Sequence, residues 1–85
     1  MIQFEYTLRL EHGIHGRPAT RLVELAKGRE SRVQITCGEK TADARKIFAL
    51  MTLGADRGDT VSVTVEGPDE EETAHMLQDL LQEQF

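Results

Sequence analysis

The apolar residues of this chain recur with two different spacings. In some segments every second residue is apolar, and in others every third or fourth residue is. Residues 2–10 carry an apolar side chain at every second position, and residues 33–37 and 61–65 repeat that pattern. Strict alternation is typical of half-buried strands, so these segments predict three strands. A helix is predicted from residue 19, where the apolar residues follow the spacing of one helix face. They are Ala19, Leu22, Val23 and Ala26, with Gly28 as the predicted stop.

Turn residues divide the middle of the chain into shorter elements. The sequence Gly38-Glu39-Lys40 offers a tight hairpin into a short strand at residues 41–43. Residues 44–53 predict a short helix that ends at Gly54. The sequence Arg57-Gly58-Asp59 predicts a turn before the third long strand.

A last helix is predicted after Gly67 and Pro68, which break the preceding strand. Asp69 is expected to cap this helix, and the acidic residues of its first turn complement the positive helix end. Its predicted buried residues are Ala74, Leu77 and Leu81, with Met76, Leu80 and Phe85 widening the stripe. The predicted order of elements is therefore βαββαβα.

The alternation within the strands predicts how these elements pack. Strands that are apolar on one face and polar on the other favour an antiparallel sheet, with one face in solvent and helices covering the other. We therefore predict an α+β, two-layer fold as a single domain over residues 1–85. A chain of this length supports a small core, so we expect the chemistry to lie on the surface.

The charge balance narrows the class of partner. Ten Lys and Arg residues against fifteen Asp and Glu residues give a net charge of −5. Nucleic-acid binding needs a basic footprint, so we expect no nucleic-acid partner. No apolar run reaches the ~20 residues of a membrane-spanning helix, and no signal-peptide pattern is seen, so we expect a cytoplasmic protein without membrane insertion. The single cysteine, Cys37, lies in a predicted strand and is expected to be a small core or half-buried residue rather than a reactive thiol.

The segment GIHGRPAT, residues 13–20, contains the residues best suited to chemistry. His15 is predicted to stand at the N-cap of the first helix, where open N–H groups and the helix dipole favour an anion. Arg17 adds a guanidinium suited to phosphate, and Gly16 leaves the backbone accessible. A neutral imidazole is nucleophilic without a second base, so His15 is a candidate phosphoryl acceptor. The pattern alone also allows plain capping, with Arg17 solvated.

Other histidines offer weaker candidates. A metal site formed by His12 and His15 is disfavoured because no third ligand is near in sequence, so we expect neither a metal nor another cofactor. His75 falls among polar residues of the last helix and is expected to be a solvated surface residue.

Over its whole length the sequence resembles the HPr family, the histidine-containing phosphocarriers of the bacterial phosphoenolpyruvate-dependent sugar phosphotransferase system. The residues that carry the resemblance are GIHGRPAT and KIFALMTLGADRGDTVSVTVEGPDEEETAHMLQDLL. It implies an open-faced β-sandwich, with three helices on one face of a four-stranded antiparallel sheet. It implies that Enzyme I phosphorylates His15 on Nδ1, and that the group passes to a sugar-specific IIA domain. Arg17 and the backbone at Gly16 would hold the group on a carrier that is monomeric and not an enzyme, with regulatory proteins as further partners.

The chain departs from the family pattern in three respects. Position 46, usually the regulatory serine, is Lys46, so an HPr kinase has no hydroxyl to phosphorylate there. His12 stands where asparagine is frequent. Glu24, Ala49 and Asp56 make the usual contact surface less basic than in many relatives, which leaves the identity of the partner open.

The second predicted helix contains more apolar residues than one buried face of so short a helix can hold. Either all of them belong to the core, or Phe48, with Ile47 or Met51, stays exposed beside His15 for docking. We favour an exposed patch led by Phe48, and the resemblance supports it because HPr proteins bind partners with this helix. The predicted partner-binding residues are Arg17, Thr20, Ile47, Phe48 and Met51, with Arg45 and Lys46 completing a basic rim.

Several functions compete at this point. The first is a phosphocarrier of a sugar relay, and a close variant is the same chemistry in a nitrogen-related or dihydroxyacetone kinase relay. A docking or regulatory module without phosphotransfer is a second class, which would not need His15 and Arg17. An RNA-binding sheet would need basic and aromatic residues on its face and is disfavoured in this acidic chain.

Overall fold

The alternating segments form strands, and the segments of helical spacing form helices. The computed structural model describes residues 1–85 and contains the seven elements in the predicted order. The strands are β1 (Ile2–Thr7), β2 (Arg32–Cys37), β3 (Lys40–Asp43) and β4 (Thr60–Glu66). The helices are α1 (Gly16–Lys27), α2 (Ile47–Met51) and α3 (Glu70–Gln84). None of these helices has the length and apolar character needed to cross a bilayer.

The four strands form one antiparallel sheet in the order β1-β4-β2-β3. In the central strand β4, Val63 lies opposite Phe4 of β1 and Ile35 of β2, which gives the sheet an apolar face. The alternate positions form a polar face, where the hydroxyls of Thr7 and Thr60 are 2.8 Å apart. The α+β class, with a four-stranded antiparallel sheet and three helices, is confirmed.

The helices cover the apolar face. All four residues predicted to face the core from α1 are buried. In α3 the predicted residues Ala74, Leu77 and Leu81 are also buried, but Met76 is 38% exposed, so its placement in the stripe was wrong. Thr73 is fully buried instead, because its hydroxyl donates to Asp69 at 3.1 Å and accepts from Arg29 at 2.9 Å.

Two predicted elements are shorter in the structure. The first strand was predicted to reach residue 10, but it ends at Thr7 because the amides of Arg9 and Leu10 donate to the carbonyl oxygen of Phe85 rather than to a strand. The second helix was predicted from residue 44. It begins at Ile47, since the carbonyl and carboxylate oxygens of Asp43 hold the preceding residues in a turn.

Asp69 stands at the N-cap of α3, but its side chain does not cap the helix as predicted. The carboxylate instead accepts from the amides of Glu30 at 3.1 Å and Ser31 at 2.9 Å, and from the hydroxyls of Ser31 and Thr73. Arg29 pairs with the same carboxylate at 3.3 Å. Asp69 therefore fastens the start of α3 to the connection between α1 and β2.

These contacts give a prediction for the Asp69→Asn variant. The Ser31 hydroxyl, helped by the backbone N–H of Glu30, the hydroxyl of Thr73 and the backbone N–H of Ser31, holds the pKa of Asp69 well below its usual range. Since asparagine lacks the charge and one acceptor oxygen, we expect the melting temperature at pH 7 to fall by about 5–15 °C. Thermal melts followed by circular dichroism measure this change.

The stability difference between the wild type and Asp69→Asn should depend on pH. A carboxyl group whose pKa is depressed by folding stabilises the protein above the pKa of the unfolded chain, about 3.9, and this stabilisation is lost as the pH falls towards the folded pKa. The melting temperatures of the wild type and Asp69→Asn should therefore approach each other progressively as the pH falls below about 4. Asp79→Asn, at an exposed position of the same helix, is the control. Equal melting temperatures for the wild type and Asp69→Asn at pH 7 would contradict the role of this carboxylate.

Candidate functional site

The loop between β1 and α1 is held at its first part by the end of α3. The amides of Arg9 and Leu10 donate to the carbonyl oxygen of Phe85 at 2.6 and 3.0 Å, and the Arg9 guanidinium donates to the carbonyl oxygen of Gln82 at 2.6 Å. Further along the loop, Ile14 is buried in the core. The loop before His15 is therefore held at two places, by hydrogen bonds to the end of α3 and by the buried side chain of Ile14.

Gly13 fixes the loop against the connection between α2 and β4. Its φ is +62°, a conformation that glycine adopts without strain. A Cβ atom at this position would lie 1.9 Å from the carbonyl oxygen of Ala55 and 3.0 Å from the Cα of Asp56. Only glycine allows this approach of the two backbones, and the approach brings residues 55 and 56 beside the start of α1.

His15 stands at the N-cap of α1, as predicted. Its backbone is extended, with φ −154° and ψ 160°, and its exposed side chain makes no capping hydrogen bond. The first N–H groups of a helix lack partners within the helix, and Pro18 has none to offer, which leaves those of Gly16 and Arg17. No acidic residue lies in the first turn. The ring therefore stands, without a hydrogen bond of its own, at an end of the helix that favours an anion.

Gly16 and Arg17 leave this helix start accessible. Gly16 has a φ of +64°, and a Cβ atom there would meet nothing within 4 Å. Arg17 is exposed and takes part in none of the four ion pairs of the chain. It borders an open groove of about 470 Å³ that runs along α1 past Thr20 and Arg21 to Glu24. The guanidinium of Arg17 is thus available to a ligand or partner.

A second hollow, of about 370 Å³, is lined by His12, His15 and Asp56. We call this hollow the histidine cleft. The sequence placed Asp56 on the contact surface but did not predict that it lies with His15. No pattern in the sequence signals this, since the juxtaposition depends on the contact between the backbones of Gly13 and Ala55.

The apolar residues of helix α2 differ in how far they are buried. Leu50 is 1% exposed, Ile47 and Met51 are half-buried, and Phe48 is 76% exposed. The interpretation that all of them belong to the core is therefore wrong. Phe48 is exposed as predicted, on a helix that packs against α1, and its place beside His15 as a docking residue stays a prediction.

The predicted basic rim of this patch is only partly present. The guanidinium of Arg45 donates to the carboxylate of Asp43 at 3.0 and 3.2 Å, and this interaction lowers the pKa of Asp43. The charge of Arg45 is therefore compensated within the chain. Lys46 stands at the N-cap of α2 and takes part in no ion pair.

Two further residues singled out in the sequence lie outside the site. His75 is exposed on α3, as predicted. Cys37 is half-buried at the end of β2, as predicted, and burial, together with the charge of Asp59, raises the pKa of its thiol. Neither residue lines the histidine cleft, and no group of three or more His, Cys, Asp or Glu residues is arranged to hold a metal ion.

Comparisons with known proteins assign the family. Residues 2–83 match the family model described as PTS HPr component phosphorylation site. The phosphocarrier protein HPr of Vibrio cholerae is 34% identical over 77 residues, which is 91% of each chain. The multiphosphoryl transfer protein of Xanthomonas campestris pv. campestris is 40% identical over 67 residues, which is 79% of this chain but 8% of that protein.

Solved structures show the same fold. HPr-C-His from Thermoanaerobacter tengcongensis has a TM-score of 0.91 at 32% identity, covering 96% of this chain and 92% of that one. The Bacillus subtilis protein Crh, described as a swapped dimer, has a TM-score of 0.78 at 32% identity, covering 100% and 98%. Since a dimer occurs among these relatives, the predicted monomer stays a prediction. The match over residues 2–83, together with these relatives, shows that the chain belongs to the HPr family of phosphocarrier proteins of the phosphotransferase system.

Proposed function

We propose that this chain accepts a phosphoryl group on Nδ1 of His15 and passes it to a second protein. The observation that carries the proposal is the exposed ring of His15 at the N-cap of α1, which makes no capping hydrogen bond. The accessible backbone of Gly16 and the unpaired guanidinium of Arg17 supply donors for the phosphoryl oxygens. The proposed role of the chain is that of a carrier rather than an enzyme, because His15 is modified and regenerated in each cycle.

The chemistry of the step follows from these groups. The lone pair on Nδ1 attacks phosphorus and forms a P–N bond, while the bond from phosphorus to the donor breaks and the donor keeps its electron pair. Nε2 retains its proton, so the ring needs no additional base. The N–H groups of Gly16 and Arg17, with the Arg17 side chain, stabilise the charge on the phosphoryl oxygens. Transfer to the next protein reverses the step, and the electrons of the P–N bond return to Nδ1.

The proposed donor is Enzyme I, and the proposed acceptor is a IIA domain of a sugar transporter in the cytoplasm. Membership of the HPr family supports these partners. The same site would serve a sister relay, such as the nitrogen-related or dihydroxyacetone kinase branch, since the chemistry at His15 is identical. The choice of relay depends on which Enzyme I recognises the surface around His15.

We propose that this recognition uses the patch formed by Phe48, Ile47 and Met51, with Arg17 and Thr20 on the neighbouring helix. Phe48 is the exposed member of this patch, while Ile47 and Met51 are half-buried. An exposed aromatic side chain on a packed helix is the kind of residue that dominates protein interfaces. Its helix packs against α1, the helix whose N-cap is His15.

Replacing Phe48 by alanine should weaken docking without unfolding the chain. We expect the KM of Enzyme I for this carrier to rise by about 5–30-fold, the effect of losing an interface residue that contributes about 1–2 kcal/mol. The melting temperature should stay within about 2 °C of the wild type, because Phe48 is mostly exposed. Steady-state phosphorylation at varied carrier concentration measures the KM. Met76→Ala, at another exposed apolar residue, is the matched control, and an equal KM for both variants would refute docking through Phe48.

The test of the proposed function is intact-mass spectrometry after incubation with phosphoenolpyruvate and Enzyme I. The expected result is a gain of one acid-labile phosphoryl group, which fragmentation localises to His15. A gain only with the Enzyme I of a sister relay would assign the carrier to that relay. No gain with any Enzyme I of the host would overturn the proposal in favour of a docking or regulatory module.

A further inference from the structure

His12 lines the same cleft as the proposed acceptor but has no role in the function described so far. The cleft is formed by three side chains, those of His12, His15 and Asp56. Two imidazoles and a carboxylate thus border one hollow of about 370 Å³. The question is what His12 contributes when His15 carries a phosphoryl group.

The backbone holds these three residues in place. Between the two histidines, Gly13 is fastened against Ala55, and Ile14 is buried in the core. The amide of Asp56 donates to the carboxylate of Asp59 at 2.9 Å, which fixes the facing loop. His12 and Asp56 therefore border the cleft from two different loops, and each loop is held in place by its own contacts.

Phosphorylation changes the charge balance of this cleft. A phosphoryl group on His15 adds negative charge beside Asp56, whose carboxylate repels it. Of the three residues that line the cleft, His12 is the one that can supply a positive charge at no expense to His15. Arg17, the other proposed donor, does not line this cleft but borders the groove along α1.

Other charged residues on the same segments complete the surroundings of His12. Glu11 precedes it on its own loop, and Arg57 and Asp59 follow Asp56 on the facing loop. The carboxylate of Asp59 accepts from the Asp56 amide. None of these residues lines the cleft, so Asp56 and His15 are the groups that bear directly on His12.

We propose that His12 is a positioning residue for the phosphoryl group on His15, and that its imidazolium donates an N–H to a phosphoryl oxygen across the histidine cleft. The proposal rests on the proposed function of His15 and extends it to a second side chain. In this arrangement His12 offsets Asp56 when the group is present. Histidine suits this task because its charge changes between about pH 5 and pH 8.

The positive charge of the His12 imidazolium should slow the hydrolysis of the phosphorylated carrier. In hydrolysis, water adds to phosphorus, the P–N bond breaks with its electrons returning to Nδ1 of His15, and inorganic phosphate leaves. The ring is a better leaving group when Nε2 carries a proton, so acid accelerates the loss. A positive charge on His12 disfavours this protonated form of the His15 ring and holds the phosphoryl oxygens. The phosphorylated chain should therefore persist longer near pH 6 than it would without His12.

Two measurements test the proposal, and both can be made without a protein partner. Potassium phosphoramidate transfers its phosphoryl group to imidazole with release of ammonia, and ion exchange isolates the species modified on His15 alone. The first measurement is the NMR titration of the His12 ring protons with and without this modification. We expect the midpoint to move upward by about one pH unit, the effect of a dianion within about 6 Å in water. His75, exposed on α3, is the internal control and should not move.

The second measurement is the rate of phosphoryl loss from His12→Gln, which keeps a neutral donor, beside His75→Gln. Near pH 6 we expect loss from His12→Gln to be about 3–10-fold faster than from the wild type, and near pH 9 we expect equal rates. His75→Gln should match the wild type at both values. A merely structural role for His12 would shift the two rates equally at both values of pH.

Either of two results would overturn the proposal: an unchanged His12 midpoint in the phosphorylated wild-type chain, or equal rates of loss from His12→Gln and wild type near pH 6. The midpoint needs no variant, so misfolding of His12→Gln would not obscure the answer. A chain that takes phosphate from phosphoramidate but from no Enzyme I would refute the proposed function. The same titration would then still decide the role of His12.

Discussion

Replacing His15 by alanine is expected to abolish phosphoryl transfer completely while leaving the fold unchanged. The exposed ring makes no capping hydrogen bond and lies outside the core, so its loss should change the free energy of unfolding by less than about 0.5 kcal/mol. No other side chain at the start of α1 offers a nucleophilic nitrogen with a helix end behind it. Intact-mass spectrometry after incubation with phosphoenolpyruvate and Enzyme I should therefore show no mass gain for this variant.

The control for His15→Ala is His75→Ala, which removes an exposed histidine from α3. This variant should gain one phosphoryl group as readily as the wild type. A full phosphoryl group on His15→Ala would move the acceptor to another histidine, with His12 as the nearest candidate. Loss of phosphorylation in both variants would indicate unfolding, which circular dichroism would reveal.

Replacing Gly13 by alanine should have the largest effect among changes that leave the reacting groups in place. The new Cβ atom would lie 1.9 Å from the carbonyl oxygen of Ala55, at a φ of +62°. Backbone strain and overpacking each contribute about 1–3 kcal/mol, so the variant should be destabilised by about 2–6 kcal/mol. The loop and Asp56 must also separate, which moves His15. We therefore expect phosphoryl transfer to slow by at least about tenfold, measured by rapid quench with phosphorylated Enzyme I.

Gly38→Ala separates the two causes. Gly38 has the same φ of +62°, but a Cβ atom there would meet nothing within 4 Å, and it lies in the hairpin between β2 and β3. This variant should lose only about 1–2 kcal/mol and keep its transfer rate. Urea unfolding gives both stabilities. If the two variants were equally stable, the contact between Gly13 and Ala55 would contribute nothing to the fold.

The fold could be predicted from the sequence because each element carries its own period. The four α1 residues predicted to face the core and the three valines of β4 are all buried, and two periods repeated in order are enough to predict a two-layer α+β domain. The errors fall where a distant residue competes with the local pattern. Leu10 continues the alternation of β1, but its amide bonds to Phe85, and Asp69 bonds to Ser31 rather than to its own helix.

In the candidate site too, neighbours in sequence could be predicted, and a residue brought in by a distant contact could not. His15, Gly16 and Arg17 are neighbours in sequence, and their roles at a helix start follow from general properties of helices. Asp56 joins them only through the approach of two backbones at Gly13 and Ala55, and a single sequence contains no sign of that pairing. The exposure of Phe48 was ambiguous for a different reason, since a helix of five residues is too short to define a face.

The contact between Phe85 and the loop before His15 bears on how the chain is made. Strand β1 has one neighbour in the sheet, β4, and the amides of Arg9 and Leu10 find their acceptor in residue 85. During translation β1 therefore has no sheet partner until β4 has been made, and the amides of Arg9 and Leu10 have no acceptor until residue 85 emerges. Contacts between such distant residues form slowly, so the apolar positions of residues 2–10 should stay exposed until those later elements have been made. The segment that carries His15 becomes ordered with them.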